Sequence, residues 1–210
     1  MNNLALSFPM FSQGIPFFHA GEDMLRSKSL DDNSYDSGDW FNTLNWTYES
    51  NNWGIGLPIE GSNNWDIYRP LLANTQLKPS PTQITFASNV FNEYLKIRKS
   101  SPLFRLTTAE QVSNCVSFYN TGTKQIPGLI VMRIQDTNDL DPKYSNILVF
   151  YNSNQKNITF TEETLIDQAY QLHPVLVDSV DPIVKNSAYD ASNGSFTIPA
   201  LSTSVFVLNK

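Results

Sequence analysis

Between Ile84 and Ile97 the apolar residues recur mostly at spacings of three and four. Ile84, Ala87, Val90, Phe91, Tyr94, Leu95 and Ile97 therefore share one face of a helix. Pro79 and Pro81 precede the series, Pro102 follows it, and Thr82 offers an N-cap, which predicts a helix of about 15 residues. Beyond Phe104 the period changes from helical to alternating. Val116 to Asn120, Gly128 to Ile134, Asn146 to Asn152, Asn157 to Phe160, Tyr170 to Pro174, Ser195 to Pro199 and Ser204 to Leu208 are short β-branched or aromatic runs. Turn signals such as Thr-Gly-Thr, Asn-Ser-Asn and Asn-Gly separate them. Seven or eight such strands in about 105 residues predict an antiparallel β-sandwich. At the other end, Asn3 to Phe11 reads as the end of a helix leading into Ile15 to Phe18. That four-residue apolar run after Gly14 has the character of a strand buried on both faces.

Between these patterns the chain turns polar. From Gly21 to Asn64 it carries Asp, Asn, Ser and Tyr at a density that a hydrophobic core does not accept, and Trp40, Trp46, Trp53 and Trp65 fall within or at the edge of this stretch. Glu22 and Asp23 suit the first turn of a short helix over Glu22 to Arg26. Indole rings flanked by Asn and Asp are what a sugar needs: flat C–H faces stack on the rings, and hydroxyls pair with carboxylates and amides. Arg26 and Lys28 lie among Glu22, Asp23, Asp31, Asp32, Asp36 and Asp39, which predicts a loop fixed by bidentate bonds from arginine to carboxylate. Asp36 and Asp39 are three apart, but on a loop that spacing fixes no catalytic geometry.

Composition narrows the partners. Of 210 residues, 40% are hydrophobic and 12% aromatic, enough to bury a core. The net charge of −6 argues against nucleic acid, which is bound through clustered Lys and Arg. No apolar run approaches the roughly 20 residues that span a bilayer, so no membrane partner is expected. Cys115 is the single cysteine, which excludes an internal disulfide and suits a small buried hydrophobe. No cofactor is required by any motif. Calcium suits oxygen-rich Asp and Asn loops, although Asp31-Asp32-Asn33 lacks the alternating ligands and bidentate Glu of an EF-hand. No His, Cys or acid spacing matches a zinc site. His19, after the apolar run, reads as a hydrogen-bonded structural histidine, and His173 carries no partner pattern.

Several long motifs then recur in order: QGIPFFHAGEDMLRSKSLDDNSYDSGDWFN, NNWGIGLP, NNW and KIRKSSPLFRL. Together they resemble the C-terminal part of pullulanase-type starch-debranching enzymes, the plant limit-dextrinase type most of all, in the α-amylase clan of glycoside hydrolases. The resemblance implies an α-1,6-glucosidase fold in two parts. Residues 1–103 would be the end of a (β/α)8 catalytic barrel, with Ile15 to Phe18 as its last strand, the polar stretch as its loop and the 84–97 helix as its last helix. Residues 104–210 would be the antiparallel β-sandwich C-terminal domain, closing in FTIPALSTSVFVLN. The implied partners are α-glucans (pullulan, amylopectin, limit dextrin) and the barrel segment that precedes this one in the family. Met1 would be interior sequence, with any targeting signal upstream; a plastid is the compartment that the plant type suggests.

The same resemblance places the family's nucleophilic Asp, acid/base Glu and transition-state-stabilising Asp upstream of Met1. A retaining glycosidase needs two carboxyl groups about 5–5.5 Å apart. No residue here matches either motif, so no catalytic residue is assigned and the chain alone is expected to be inactive. The substrate-binding candidates are Asn63, Trp65, Trp53, Asp39 and Arg26. Asn63 stands where the family often has an Asp next to Asn-Trp, and an amide lacks the charge-assisted bond of a carboxylate to a sugar hydroxyl. The alternative is an independent α-glucan-binding or scaffold module. Without barrel neighbours, residues 1 to about 80 are expected to be loose, with Phe11, Phe17 and Phe18 exposing apolar surface.

Overall fold

The structure is a computed structural model that describes residues 1–60 and 62–210. In chain order it holds helices α1 (Asn2–Phe11), α2 (Trp65–Ala73), α3 (Pro81–Ser100) and α4 (Ala109–Cys115), then strands β1 (Val116–Tyr119), β2 (Leu129–Gln135), β3 (Tyr144–Asn152), β4 (Ile158–Thr161) and β5 (Gln171–Leu172). A one-turn helix, α5 (Pro174–Val177), precedes β6 (Ala188–Asp190), β7 (Ser195–Ile198) and β8 (Ser202–Asn209). The residues form two compact units, Met1–Phe17 with Val90–Lys210, and Phe18–Asn89.

The first unit is built on two antiparallel sheets. The larger has strand order β1-β2-β3-β8-β5 and the smaller β4-β7-β6. Alternation sets their facing sides: Val131 pairs with Phe150, and Leu148 pairs with both Arg133 and Phe206, so these side chains lie on one face. Leu129, Val131, Leu148, Phe150 and Phe206 of the larger sheet meet Ile158, Phe160, Phe196 and Ile198 of the smaller one in a single core. Phe196 sits at its centre, 4.9 Å from the Phe150 ring and 5.1 Å from the Phe206 ring in edge-to-face contact.

The other face of the larger sheet is covered by helix. Ser7 and Thr203 share a hydrogen bond of 2.6 Å, and Phe8 stacks on Tyr151 at 4.4 Å, which seats α1 on β8 and β3. Arg98 then ties down the C-terminal end of α1, donating to the carbonyls of Met10 (2.6 Å), Ser12 (2.9 Å) and Gly14 (2.6 Å). A cation there completes the carbonyls that a helix end leaves unpaired. Glu93, also buried, accepts from Ser179 Oγ (2.6 Å) and the Val180 amide (2.7 Å).

Four expectations are corrected. Ile15 to Phe18 forms no strand, and Ile15 and Phe17 are 83% and 88% exposed. The strand expected to end the barrel is therefore not formed in this chain. Phe11 is fully buried rather than exposed, because α1 carries it against Tyr94 (5.2 Å) and Phe104 (5.6 Å). Helix α3 runs for 20 residues, not about 15, and starts before Thr82. Ser80 is its cap, with Gln83 N–H donating to Ser80 Oγ (3.3 Å) and Ser80 N–H to Gln83 Oε1 (2.8 Å), and Pro81 fills the first helical position. Tyr170 to Pro174 shrinks to the two residues of β5, since Pro174 has no amide for a ladder and opens α5 instead. Cys115 is buried, as its reading requires.

Candidate functional site

Within Phe18–Asn89 the polar stretch is a folded loop held by its own polar groups. Leu25, Ser29, Leu30, Tyr48 and Asn52 all take positive φ, and Gly21 does so at +95°. Side chains that avoid this region sit there only when surrounding bonds fix them. Those bonds are present. The Ser27 amide donates to the Asn51 carbonyl (2.7 Å), Asn51 Nδ2 to the Leu25 carbonyl (2.6 Å) and Ser29 Oγ to the Asn52 carbonyl (2.6 Å), while Asn52 Nδ2 donates to the Thr43 carbonyl. Asp31 is buried and accepts from Ser37 Oγ (2.7 Å) and Ser34 Oγ (3.1 Å), with Lys28 Nζ at 3.9 Å and also bonded to Ser34.

Arg26 does not bind a carboxylate. Its guanidinium donates to the carbonyls of Ala20 (3.0 Å) and Asn42 (2.7 Å), so it staples two distant parts of the loop through their backbone. The bidentate arginine–carboxylate pairing expected from the acids around it is overturned, because those carbonyls sit at a turn and a 3₁₀ end that offer no other donor within the helix ladder. Asp39 opens that 3₁₀ turn, Asp39–Asn42, and is exposed.

The rings divide into anchors and exposed faces. Phe41 is buried, whereas Trp40, 5.9 Å from it, is 56% exposed, Trp46 is 67% exposed and Tyr35 is 89% exposed. Gly38 leaves room for the Trp40 ring where it lies: a Cβ there would stand 2.2 Å from it. A Cβ at Gly56 would meet Phe41 at 3.4 Å and the Trp40 indole nitrogen at 3.7 Å. Gly54, Gly56, Leu57, Arg69, Leu72 and Ala73 line an open surface groove.

Each candidate from the sequence has a place in this unit. Asn63 is exposed in the short turn Ser62–Asn64, and Trp65 begins α2 with its indole N–H donating to the Pro58 carbonyl at 2.8 Å. Trp53 is half-buried with its indole nitrogen unpaired. Arg26 reaches Asn42, at the end of the turn that Asp39 opens. Among the described residues the five make no hydrogen bond or ion pair with one another. Of the residues that hold the loop, Asp31 stands among the acids the sequence pointed to, whereas Ser29, Asn51 and Asn52 were not singled out, although asparagine's tolerance of positive φ is the signal that marks Asn52. Among the described residues no group of three or more His, Cys, Asp or Glu is placed to hold a metal ion. No helix among them is long and apolar enough to cross a membrane.

Comparison with known proteins bears on the whole chain. The family described as "Alpha-1,6-glucosidases, pullulanase-type, C-terminal" matches residues 48–209. The chloroplastic Pullulanase 1 of Arabidopsis thaliana is 49% identical over 216 residues, covering 99% of this chain and 22% of that protein. The pullulanase of Klebsiella pneumoniae is 33% identical over 99% of this chain and 19% of its own length. The maltotriose complex of PulA from Klebsiella pneumoniae superposes on all of this chain and 23% of its own, with a TM-score of 0.89 at 32% identity. The chain spans about a fifth of the length of these relatives. With its helices and antiparallel sheets arranged as in their C-terminal region, the chain belongs to the pullulanase-type α-1,6-glucosidase C-terminal family.

Proposed function

We propose that this chain supplies the C-terminal portion of an enzyme that hydrolyses α-1,6 branch links in starch-derived glucans, contributing a glucan-facing loop and a β-sandwich but no catalytic carboxylate. One observation carries the reading: 99% of the chain aligns with about a fifth of a pullulanase. Residues 1–103 then complete the catalytic barrel alongside the segment that precedes them, and 104–210 form the sandwich domain. Trp40 and Trp46, with Trp53 and Trp65 nearer the interior, offer rings to the sugar; Asp39 and Asn63 offer hydrogen bonds; Arg26 keeps the loop in shape. The reading requires no cofactor from this chain.

Among the described residues, the buried carboxyl groups of Asp31, Glu93, Asp136 and Asp141 are each occupied by hydroxyl, amide or ammonium donors, an arrangement that fixes structure. The test is new reducing ends from pullulan. The chain alone produces none, and the chain joined to the N-terminal remainder of the Arabidopsis relative restores hydrolysis. Hydrolysis by the chain alone, or failure of the joined protein when it is folded, contradicts the proposal.

A further inference from the structure

The inner face of the larger sheet does not stay apolar to its end. Register and alternation put Arg133 and Gln135 of β2 on the same face as Leu129 and Val131, and Asn146 of β3 on the same face as Leu148 and Phe150. The smaller sheet, whose strands are four, four and three residues long, faces the apolar part. At the polar end the sandwich opens into a cavity of about 260 Å³, lined by Tyr119, Arg133, Gln135, Asn146, Gln168 and Tyr170 among others. Two atoms there break the usual rule that buried polar groups are paired. Asn146 is only 5% exposed with Oδ1 unpartnered, and Arg133 Nε is buried without an acceptor.

We propose that this cavity is a saccharide site separate from the loop of residues 18–89, and that it takes a terminal glucosyl unit of an α-glucan. The two unpaired atoms select the chemistry. Arg133 Nε has a proton to donate and Asn146 Oδ1 has lone pairs to receive one. A sugar hydroxyl answers both, whereas an ionised carboxylate only accepts and leaves Asn146 unmet. The remaining lining agrees: Gln135, Ser145, Thr164 and Gln168 are neutral hydrogen-bonding groups, and no acid lines the cavity. Tyr119 and Tyr170 provide ring faces for the C–H side of a pyranose, and the Arg133 guanidinium lies 6.0 Å over the Tyr119 ring, which holds it in place. The volume is below the roughly 300 Å³ at which pockets for drug-sized ligands begin, a size for one or two sugar units. The choice of an α-glucan, rather than another sugar, rests on the proposed function.

Amide and guanidinium NMR of the ¹⁵N-labelled full chain tests this, with maltotriose and inorganic phosphate as separate titrants. Maltotriose is expected to shift the Asn146 side-chain amide and Arg133 Nε–H saturably. Arg133→Ala should weaken that response about tenfold while the indole signals of Trp40 and Trp46 respond as before. Tyr119→Ala, at the sheet edge, gives the same loss if Arg133→Ala perturbs the fold. Asn146 and Arg133 unmoved by millimolar maltotriose, or moved by phosphate instead, overturns the site even when the indoles respond. A response at Asn146 with silent indoles supports the site and counts against the loop as glucan surface; silence everywhere overturns both.

Discussion

The buried phenylalanine cluster of the sheet unit contrasts with the exposed rings of the loop. In the sheet unit, Phe150, Phe196 and Phe206 interlock at ring distances of 4.9–5.7 Å and are shut away from water. Among the described residues of Phe18–Asn89 only the Phe41 ring is buried to that degree, while Tyr35, Trp40 and Trp46 face solvent. What holds each unit differs accordingly. The sheet unit is stabilised by apolar burial and a backbone ladder; the loop unit is held by serine, asparagine and aspartate bonds around residues in positive φ. A fold that keeps large rings in water while fixing the backbone beneath them with polar bonds is organised for contact with something outside itself.

The comparison breaks first at the core. Phe196→Ala removes the ring that contacts Phe150, Tyr170, Tyr189 and Phe206, and should destabilise the sheet unit by about 3–5 kcal/mol in denaturant unfolding, with loop signals unaffected until that transition. The next largest effect is on acidification. Val175 N–H donates to His173 Nδ1 (3.2 Å), so Nε2 carries the proton and meets Ser100 Oγ at 3.0 Å. Burial, with a smaller push from Lys143, lowers the His173 pKa from 6.5 to about 4. The unfolded chain therefore takes up the proton first. The stabilisation from neutral His173 is complete above about pH 6.5, declines as pH falls towards 4 and changes no further below that, a total of about 3 kcal/mol. Stability measured across that window should fall less steeply for His173→Gln; an unchanged slope contradicts the burial of a neutral imidazole.

In the loop unit, Asp31→Ala strands Ser34, Ser37 and Lys28 and should cost about 1–3 kcal/mol locally. Hydrogen exchange should speed up between residues 27 and 55 and stay slow in β2, β3 and β8. The smallest effect on stability is at the exposed ring. Trp40→Ala should change global stability by less than about 0.5 kcal/mol, because the side chain leaves no cavity behind. Gly38→Ala, which forces the Trp40 ring aside, should shift tryptophan emission with a similarly small cost.

Much of the sheet unit was legible from alternation. Seven predicted runs each overlap an observed strand, since inward residues such as Val131, Leu148 and Phe206 announce a face. β6 was not, because three residues, Ala188–Asp190, carry too little pattern to register. The helix α4 was written in Thr108 and Gln111, whose side chains form a full capping box, but its seven residues have no apolar period to draw attention to it. Ile15 to Phe18 misled because an apolar run states a preference for burial without supplying the neighbouring strand that would satisfy it. At the candidate site, the density of Trp, Asp and Asn was plain in the sequence. That Arg26 would serve backbone carbonyls rather than carboxylates was not, since carbonyl acceptors carry no residue code.

Electrophoresis of the purified chain through gels with and without pullulan tests the central claim most directly, beside a Trp40→Ala, Trp46→Ala double variant of the same fold. Retardation of the unaltered chain by pullulan, with recovery of mobility in the double variant, is the predicted result. Equal mobility of the unaltered chain in both gels contradicts a glucan-facing loop.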